Sequence, residues 1–456
     1  MVFIKKKICI IGLGYIGLPT AAMFATHGHH IVGVDINKKV VDALNNGKIT
    51  IYEPYLDILV QAAVTSENLM GKSVPEEADA FIISVPTPIT PEKTADMSYV
   101  KMAAESIVPY LREGNLVILE STSPPGTVNN LLLPILEKSG LKIGEDLLVA
   151  HSPERVLPGK ILIELVENPR IIGGINGKSA EAVRDLYRTF VKGEIYLTDA
   201  TTAEMCKLME NTYRDVNIAL ANELAMLCEN IGINAWDVIQ FSNKHPRVNL
   251  HQPGPGVGGH CLAVDPWFII ENNPDTAQMI KLGRQINDNM PLHVFQRAKD
   301  ILSNLPQGNE MNANEVKKVT ILGISYKPNI DDTRESPIVE LINLFEEDNG
   351  YQISVYDPHV TSYKHMAHDI PMSNDIYAVA EGSHLIVLGV NHELFSKIDF
   401  ELLYKKMASP NILDTRNFWD RKVLSKIGFK YYLLGDGNKQ QCGNQNVSLP
   451  QPLIYV

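Results

Sequence analysis

Cysteine is scarce. There are five in 456 residues (Cys9, Cys206, Cys228, Cys261 and Cys442), widely scattered, odd in number and never in C-x-x-C spacing. That excludes a disulfide framework or a zinc ribbon and favours a reducing compartment. The 13 histidines form no H-x-x-x-H or H-E-x-x-H pattern, so no metal site is expected. No apolar run approaches the roughly 18–20 residues a membrane-spanning helix needs. Positive charge is not in excess either: 41 Lys and Arg against 53 Asp and Glu leave a net −12. An acidic surface repels nucleic acid and anionic membranes, so neither is expected as a partner, while a few converging Lys and Arg could still hold an anionic small molecule. The opening Met1-Val-Phe-Ile-Lys-Lys-Lys runs straight into a strand without the apolar stretch and cleavage site of a signal peptide, and a cytoplasmic location is the expectation.

What is present is average soluble composition, 45% apolar and 21% charged, in a chain long enough for two or three domains. Lys7–Gly12 is a β-branched apolar run, as a strand buried on both faces is. Gly12-Leu-Gly14-Tyr-Ile-Gly17 follows, then helical Leu18–Ala25, then a second buried strand, His30–Asp35, ending in an acid. Strands at Ala80–Val85, Leu116–Ser121 and Asp146–Ala150 continue the alternation and predict a doubly wound parallel sheet through about residue 200. Thr201–Ile231 contains no Gly or Pro and predicts a helix of some 30 residues, opened by a capping box at Thr201-Thr-Ala-Glu204 and stopped at Gly232. Further helices are expected at Trp236–Ser242 and Gln278–Leu302. After the polar stretch Pro306–Glu315 the α/β rhythm restarts, with strands at Lys317–Gly323, Gln352–Asp357, His384–Gly389 and Ile412–Asp414; from Gly435 the Gly, Asn and Gln-rich tail is expected to be weakly ordered. The expected fold is therefore α/β: two Rossmann-like doubly wound domains, 1–200 and 306–434, joined by a long central helix within a helical region, 201–305, and followed by a tail, 435–456. The cleft of two such domains is the default place for a ligand.

A lone G-x-G-x-x-G is a weak signal, but here it has a strand before it, a helix after it, and Asp35 eighteen residues beyond Gly17. Gly12 makes the tight turn, Gly14 lets the backbone approach a pyrophosphate, and Gly17 lets helix and strand pack. The phosphates sit on free N–H groups at the helix N-terminus. Asp35 accepts from ribose hydroxyls and repels a 2′-phosphate, which favours NAD over NADP, with flavin the competitor within the motif. A second signal is Gly256-Val-Gly-Gly-His260-Cys261-Leu-Ala-Val-Asp265. From the residues alone Cys261 is either a packed cysteine in a glycine turn or a reactive thiol. The second reading has glycines giving a ligand access to the backbone, Cys261 opening a helix that lowers the thiol pKa, and Asp265 one turn along the same face. On the long helix Lys207, Asn211, Asp215 and Asn222 form one polar stripe, either a solvated face or the lining of a site. Met205, Leu208, Met209, Val216, Ala219 and Leu220 form an apolar face, and Cys9 and Cys228 read as core.

In order along the chain, Gly12-Leu-Gly-Tyr-Ile-Gly-Leu-Pro19, Val85-Pro-Thr-Pro88, Glu120-Ser-Thr-Ser-Pro-Pro-Gly126, Ser152-Pro-Glu-Arg155, Ala203-Glu-Met-Cys-Lys-Leu208 with Asn211, Gly258-Gly-His-Cys261 with Asp265, and Tyr326-Lys-Pro-Asn-Ile-Asp-Asp-Thr-Arg-Glu-Ser336 together resemble the UDP-glucose/GDP-mannose dehydrogenase family over nearly the whole chain. Leu262 departs mildly from the isoleucine expected there, without chemical consequence. The resemblance implies that the N-terminal domain binds NAD and the C-terminal α/β domain a UDP-sugar. It implies oxidation of the sugar's C6 alcohol to a carboxylate with two NAD+ consumed, the substrate a UDP-N-acetylhexosamine, manno ahead of gluco.

The implied roles are specific. Cys261 is the nucleophile of a thiohemiacetal and thioester; Lys207 and Asn211 stabilise the oxyanion at C6; Asp265 and Glu154 are the carboxylates near the thiol and the attacking water, which Thr122 positions. Which group takes the first proton is left open. Gly12, Gly14, Tyr15, Ile16, Gly17, Asp35, Pro86, Thr87, Thr122 and Arg334 fall on the cofactor side. Glu154, Arg155, Lys207, Asn211, Arg214, His251, Gly258, Tyr326, Lys327 and Arg416 fall on the substrate side, with Arg247 reaching it from a neighbouring subunit of a homodimer. Two rivals stand beside this reading: a single-step hydroxyacid-type dehydrogenase, which needs no thiol, and a non-catalytic NAD-dependent regulator, which needs none of Cys261, Lys207 and Asn211.

Overall fold

The computed structural model describes residues 5–305, 316–365 and 368–438. The polar stretch Pro306–Glu315, Cys442 and most of the expected tail lie outside the described residues. The chain divides into two compact units, one of residues up to Thr212 with Val264–Ala277, the other of Tyr213–Ala263 with Gln278 onward.

The first unit is built on one eight-stranded sheet of β1 (Lys7–Ile11), β2 (His30–Val34), β3 (Leu69–Lys72), β4 (Ala80–Ile83), β5 (Asn115–Leu119), β6 (Leu147–His151), β7 (Arg170–Gly174) and β8 (Ile195–Asp199). The spatial order is β3-β2-β1-β4-β5-β6-β7-β8. The order reverses where β1 meets β4, and it is outside the carboxyl ends of strands at such a point that open α/β sheets bind ligands. Pairing is parallel except between β6 and β7, which run antiparallel, so the expectation of an all-parallel sheet fails at its far side. Alternation along β1 serves two apolar layers. Ile8 and Ile10 pack with Leu18 and Phe24 on one face, Cys9 and Ile11 with Phe81, Val117 and Ile135 on the other. Cys9 is fully buried, and burial pushes its thiol up to about 12, an inert core cysteine. Cys228 is likewise buried.

The second unit carries β9 (Lys317–Leu322), β10 (Tyr351–Tyr356), β11 (Ser362–His365), β12 (His368–Pro371), β13 (Leu385–Leu388), β14 (Asn411–Asp414) and β15 (Lys430–Leu433). Five of them form a parallel sheet in the order β10-β9-β13-β14-β15, and β11 pairs antiparallel with β12. The two Rossmann-like sheets and the long helix expected from the sequence are thus present. The expected tail is fastened at its start: the Gly435 amide donates to Glu229 at 2.8 Å, Asp436 pairs with Arg421, and the Gly437 amide donates to the Ile233 carbonyl at 2.9 Å.

The long helix spans Ala200–Ile231 and ends at Gly232, which takes the left-handed φ of +83° expected of a helix stop. Its start is not the expected capping box. Asp199 caps it, accepting from the Thr202 amide at 2.9 Å and the Thr202 hydroxyl at 2.6 Å. Glu204 instead turns inward and accepts from the amides of Gly126 at 2.5 Å and Val128 at 2.8 Å, 76–78 residues away in sequence. A buried carboxylate gains more from two orphan amides than from capping its own helix. The apolar face is also not as expected: Leu208 and Ala219 are buried, but Met209 and Leu220 are 42% and 49% exposed.

Candidate active site

The glycine loop is shaped by the protein at two positions and left open at a third. Gly12 has φ +95°, and a Cβ there would meet the Ser84 carbonyl; a Cβ on Gly17 would fall inside the Gly12 carbonyl oxygen. A Cβ on Gly14, by contrast, would meet no protein atom within 4 Å. Internal packing does not require glycine there, whereas close approach of a pyrophosphate does. Asp35 follows β2, its Oδ2 accepting from the Leu13 amide at 3.0 Å and its Oδ1 from the Asn37 amide at 2.8 Å. The carboxylate is thereby aimed from the strand end while half-exposed. Tyr15 and Ile16 lie in the turn, Tyr15 45% exposed. Exposed Pro86 and half-buried Thr87 follow β4, the neighbour of β1, and half-buried Thr122 follows β5, one strand further, all at carboxyl ends of strands. These residues fit a dinucleotide.

In the same unit, Lys207, Asn211 and Asp265 come together. Asp265 opens the helix Asp265–Ile270 and is 3% exposed. The Asn211 side-chain amide donates to its Oδ2 at 2.6 Å. Burial pushes the Asp265 carboxyl up to about 6, with the charge of Lys207 and the Asn211 bond pulling the other way. That is a carboxylate poised to take or release a proton near neutrality. Cys261 lies in the turn before this helix, its side chain exposed, and not at the helix start as expected. Pro266, in the first turn of this helix, has its own φ fixed near the helical value.

Glu154 follows β6. Its Oε2 pairs with the buried Arg170 of β7, and its Oε1 accepts from the Arg155 amide at 2.7 Å. The Arg155 guanidinium pairs with Glu210 of the long helix and donates to the Pro169 carbonyl. Arg170, Glu120 and Tyr187 join Glu154 only in the folded chain. An arginine opening a short strand and a tyrosine 67 residues from its glutamate partner carry no local pattern.

In the second unit the polar stripe of the long helix divides. Asp215 is fully buried and paired with Arg284 at 2.5 Å; Asn287 donates to Asp215 at 2.8 Å; Asn222 donates to Asn287 at 2.9 Å and accepts from the Gly254 amide at 2.8 Å. Asp215 and Asn222 are therefore neither solvated nor grouped with Lys207; they form a buried network that holds the loop at Gly254. The glycines near Cys261 also serve the protein itself. A Cβ on Gly256 would meet Pro337 at 2.7 Å, one on Gly258 the Glu335 carbonyl and Pro337, and one on Gly259 the Tyr326 ring at 2.7 Å. The expected access for a ligand is filled by Tyr326 and Pro337. Arg416 lies against Gly254 and donates to the Gly389 carbonyl at 3.1 Å. Burial lowers its guanidinium to about 10, against the opposing charge of Asp414. Lys327 follows β9 with its ammonium 5.8 Å from the Tyr326 ring. His251 meets Tyr213 edge-on at 6.4 Å, its pKa lowered by burial and by Arg214. Arg214 and Arg247 are exposed, and Arg334 is paired with Asp332 at 2.6 Å. Among the described residues no group of three or more His, Cys, Asp or Glu is placed to hold a metal ion, and no helix is long and apolar enough to cross a membrane.

Comparison with known proteins agrees with this geometry. Models of the UDP-glucose/GDP-mannose dehydrogenase family match as its NAD binding domain over residues 6–191, its central domain over 201–289 and its UDP binding domain over 320–421. The chain is 48% identical over 440 residues to UDP-N-acetyl-D-mannosamine dehydrogenase of Methanocaldococcus jannaschii, covering 95% of this chain and 97% of that protein. It is 44% identical over 427 residues to NDP-N-acetyl-D-galactosaminuronic acid dehydrogenase of Ralstonia solanacearum, covering 92% and 98%. Among solved structures, the UDP-D-ManNAc dehydrogenase of Pyrococcus horikoshii superposes with a TM-score of 0.85 at 40% identity, covering 95% of this chain and all of that one. The UDP-N-acetyl-mannosamine dehydrogenase of Staphylococcus aureus superposes with 0.83 at 45%, covering 95% and 99%. With the glycine loop, the acid at Asp35 and the three domain matches in one chain, this protein belongs to the UDP-glucose/GDP-mannose dehydrogenase family and is an NAD-dependent UDP-sugar dehydrogenase.

Proposed function

We propose that the enzyme oxidises UDP-N-acetyl-D-mannosamine at C6 to the uronate in two hydride transfers through a covalent Cys261 adduct. What supports the chemistry is the Lys207–Asn211–Asp265 cluster: an ammonium and an amide donor on neighbouring turns of the long helix, and a carboxylate raised to about 6 at the start of another helix. The names of the Methanocaldococcus and Staphylococcus relatives favour the manno sugar.

Bound NAD+ supplies the hydride acceptor. In the first oxidation a base would take the proton of the C6 hydroxyl, and NAD+ held by the glycine loop and Asp35 would accept the hydride from the C6 carbon, leaving an aldehyde. The Cys261 thiolate adds to the aldehyde carbon, forming the C–S bond of a thiohemiacetal. Lys207 and Asn211 hold the oxygen that carries the negative charge, each such donor worth about 3 kcal/mol in a dry site. A second NAD+ in the same site would accept the hydride from the thiohemiacetal carbon, leaving the thioester on Cys261. Water, positioned by Thr122 and the carboxylates Asp265 and Glu154, then breaks the C–S bond and releases carboxylate and thiol. Gly14, Tyr15, Ile16, Pro86, Thr87 and Arg334 are assigned to the cofactor. Arg155, Arg214, His251, Gly258, Tyr326, Lys327 and Arg416 are assigned to the sugar nucleotide.

The working unit is a homodimer. Tyr213, Leu220 and Leu227 stand seven residues apart on the long helix and are 54%, 49% and 52% exposed. An apolar stripe of that spacing on a helix is covered by another helix in a functioning protein. A second copy brings its Arg247 to the sugar nucleotide.

The test is NADH formed per UDP-sugar consumed, with the manno, gluco and galacto N-acetyl epimers run side by side. Two NADH with the manno epimer alone is the expected result. Two with another epimer would keep the chemistry and change the substrate. A single NADH, or full activity in Cys261→Ser, would remove the thioester route.

A further inference from the structure

Arg170, at the amino end of β7, joins the carboxyl ends of β5 and β6. Its side chain is 5% exposed; it pairs with Glu154, lies 3.6 Å from a Glu120 oxygen, donates to Ser152 Oγ at 3.1 Å and stacks over the Tyr187 ring at 4.3 Å. Glu120, whose side chain is fully buried, meets two hydroxyls: Ser84 Oγ at 2.6 Å and the Tyr187 hydroxyl at 2.5 Å. The charged and titratable groups facing the guanidinium are Glu154, Tyr187 and Glu120.

One cation and two carboxyls would leave a buried net charge of −1 if both acids were ionised. Uncompensated buried charge is costly, and two carboxyls sharing a site relieve it by holding a proton. The hydrogen bonding decides which of the two holds it. Glu154 faces fixed donors only, the Arg170 guanidinium and the Arg155 amide, so it must accept and is suited only as the anion. Glu120 faces hydroxyls, which rotate and can accept a proton as readily as give one. Burial raises the Glu120 carboxyl, with Arg170 opposing and Glu154 adding to the rise.

We propose that Arg170 and Glu120 are positioning residues for Glu154: the guanidinium fixes the Glu154 carboxylate in one orientation as the anion, and Glu120 completes the buried cluster as the neutral acid. This rests on the assignment of Glu154 to the reacting centre. Glu120 then adds no repulsion to Glu154, and Arg170's charge is left to Glu154 alone.

The test is kcat, with KM for UDP-sugar and for NAD+ measured beside it, together with the infrared spectrum of the buried carboxyls at neutral pH. Arg170→Met is expected to lower kcat by about 100-fold through lost orientation while both KM values change little. Arg170→Lys keeps the charge and should recover part of that loss. If Arg170→Met does not fold, Glu120→Gln decides: the parent spectrum minus that of the variant should show the carbonyl stretch of a protonated carboxyl. A carboxylate band there instead overturns the neutral-acid assignment. An unchanged kcat in both Arg170 variants overturns the positioning role. Glu154→Gln separates the two layers of argument: full activity there removes Glu154 from the chemistry, while lost activity together with normal Arg170 variants removes only the present inference.

Discussion

Asp357 stands to Ile324 as Asp35 stands to Leu13. In each unit the acid that follows the second strand accepts from the amide after the first strand's glycine, at 2.8 Å and 3.0 Å. The resemblance extends to Gly323 and Gly12, whose amides each donate at 2.8 Å to the last carbonyl of the adjacent strand. The carboxylates then differ. Asp35 is half-exposed, whereas Asp357 is buried and bonded to His392 Nε2 at 2.9 Å. Burial raises the Asp357 carboxyl, but the His392 bond and the Ile324 and His359 amides bring it below its ordinary value.

One device thus serves two ends, and substitution separates them. Asp35→Asn should weaken NAD+ binding by about tenfold or more and narrow the preference over NADP+, with little change in melting temperature. Asp357→Asn should cost about 3 kcal/mol of stability, because a buried carboxylate that accepts from His392 and from backbone amides is lost, and leave NAD+ affinity in place. Equilibrium titration of both cofactors and thermal unfolding of both variants check this.

Gly14→Ala and Gly17→Ala should fail in opposite ways. A methyl on Gly14 meets no protein atom within 4 Å, so the fold should lose less than about 1 kcal/mol while NAD+ binding falls. A methyl on Gly17 collides with the Gly12 carbonyl and should cost about 3 kcal/mol or more. Denaturant melts beside cofactor titrations distinguish them.

Asp265 sets an acid limit. Its folded-state pKa of about 6 exceeds the ordinary 3.8, chiefly through burial. Above about pH 6 the folded protein carries a buried charge that the unfolded chain hydrates freely, so this group opposes folding there; the penalty is relieved as pH falls through 6 towards 4. Asp265→Asn should therefore gain about 1–3 kcal/mol of stability at pH 8 while activity collapses. In the parent enzyme kcat should fall below about pH 6. Lys207→Met should push that limit upward, since the lysine charge holds the carboxyl down.

The exposed stripe makes a separate claim. Leu220→Arg with Leu227→Arg puts charge on a face that is half-exposed in one chain. Light scattering is expected to report half the mass of the parent, and activity should fall with it if Arg247 serves a neighbouring subunit. An unchanged mass would place the interface elsewhere.

The parts of the fold that could be read in the sequence are those encoded by contiguous residues. β1, β2, β4 and β5 are apolar runs buried on both faces, and the helix over 200–231 lacks any breaker. β3, β7 and β15 escape a sequence reading because four- and five-residue strands containing Gly, Arg or Lys look like loops until a neighbour pairs with them, and the short β8, β11 and β12 escape it as well. At the site, Gly17 and Asp35 are legible because their partners, Gly12 and Leu13, lie within one βαβ unit. Asn211 with Asp265 depends on a contact across 54 residues, and Arg170 with Glu154 on an antiparallel neighbour no spacing announces. Glu204 was misread for the same reason: a plausible local cap was outbid by two distant amides.

That inward-turned glutamate has a bearing on how this stretch can vary. Glu204, Lys207 and Asn211 sit three and four residues apart, so they share a face of the helix. The first is tied to the turn at Gly126–Val128, and the last to Asp265. Each residue added or removed turns everything beyond it by about 100° around the axis. A single insertion between positions 204 and 211 would swing Lys207 or Asn211 away from the carboxylate while the anchor stayed in place. Identities along this segment can drift among helix formers, but its length cannot: it works as a ruled interval, in which counting matters as much as chemistry.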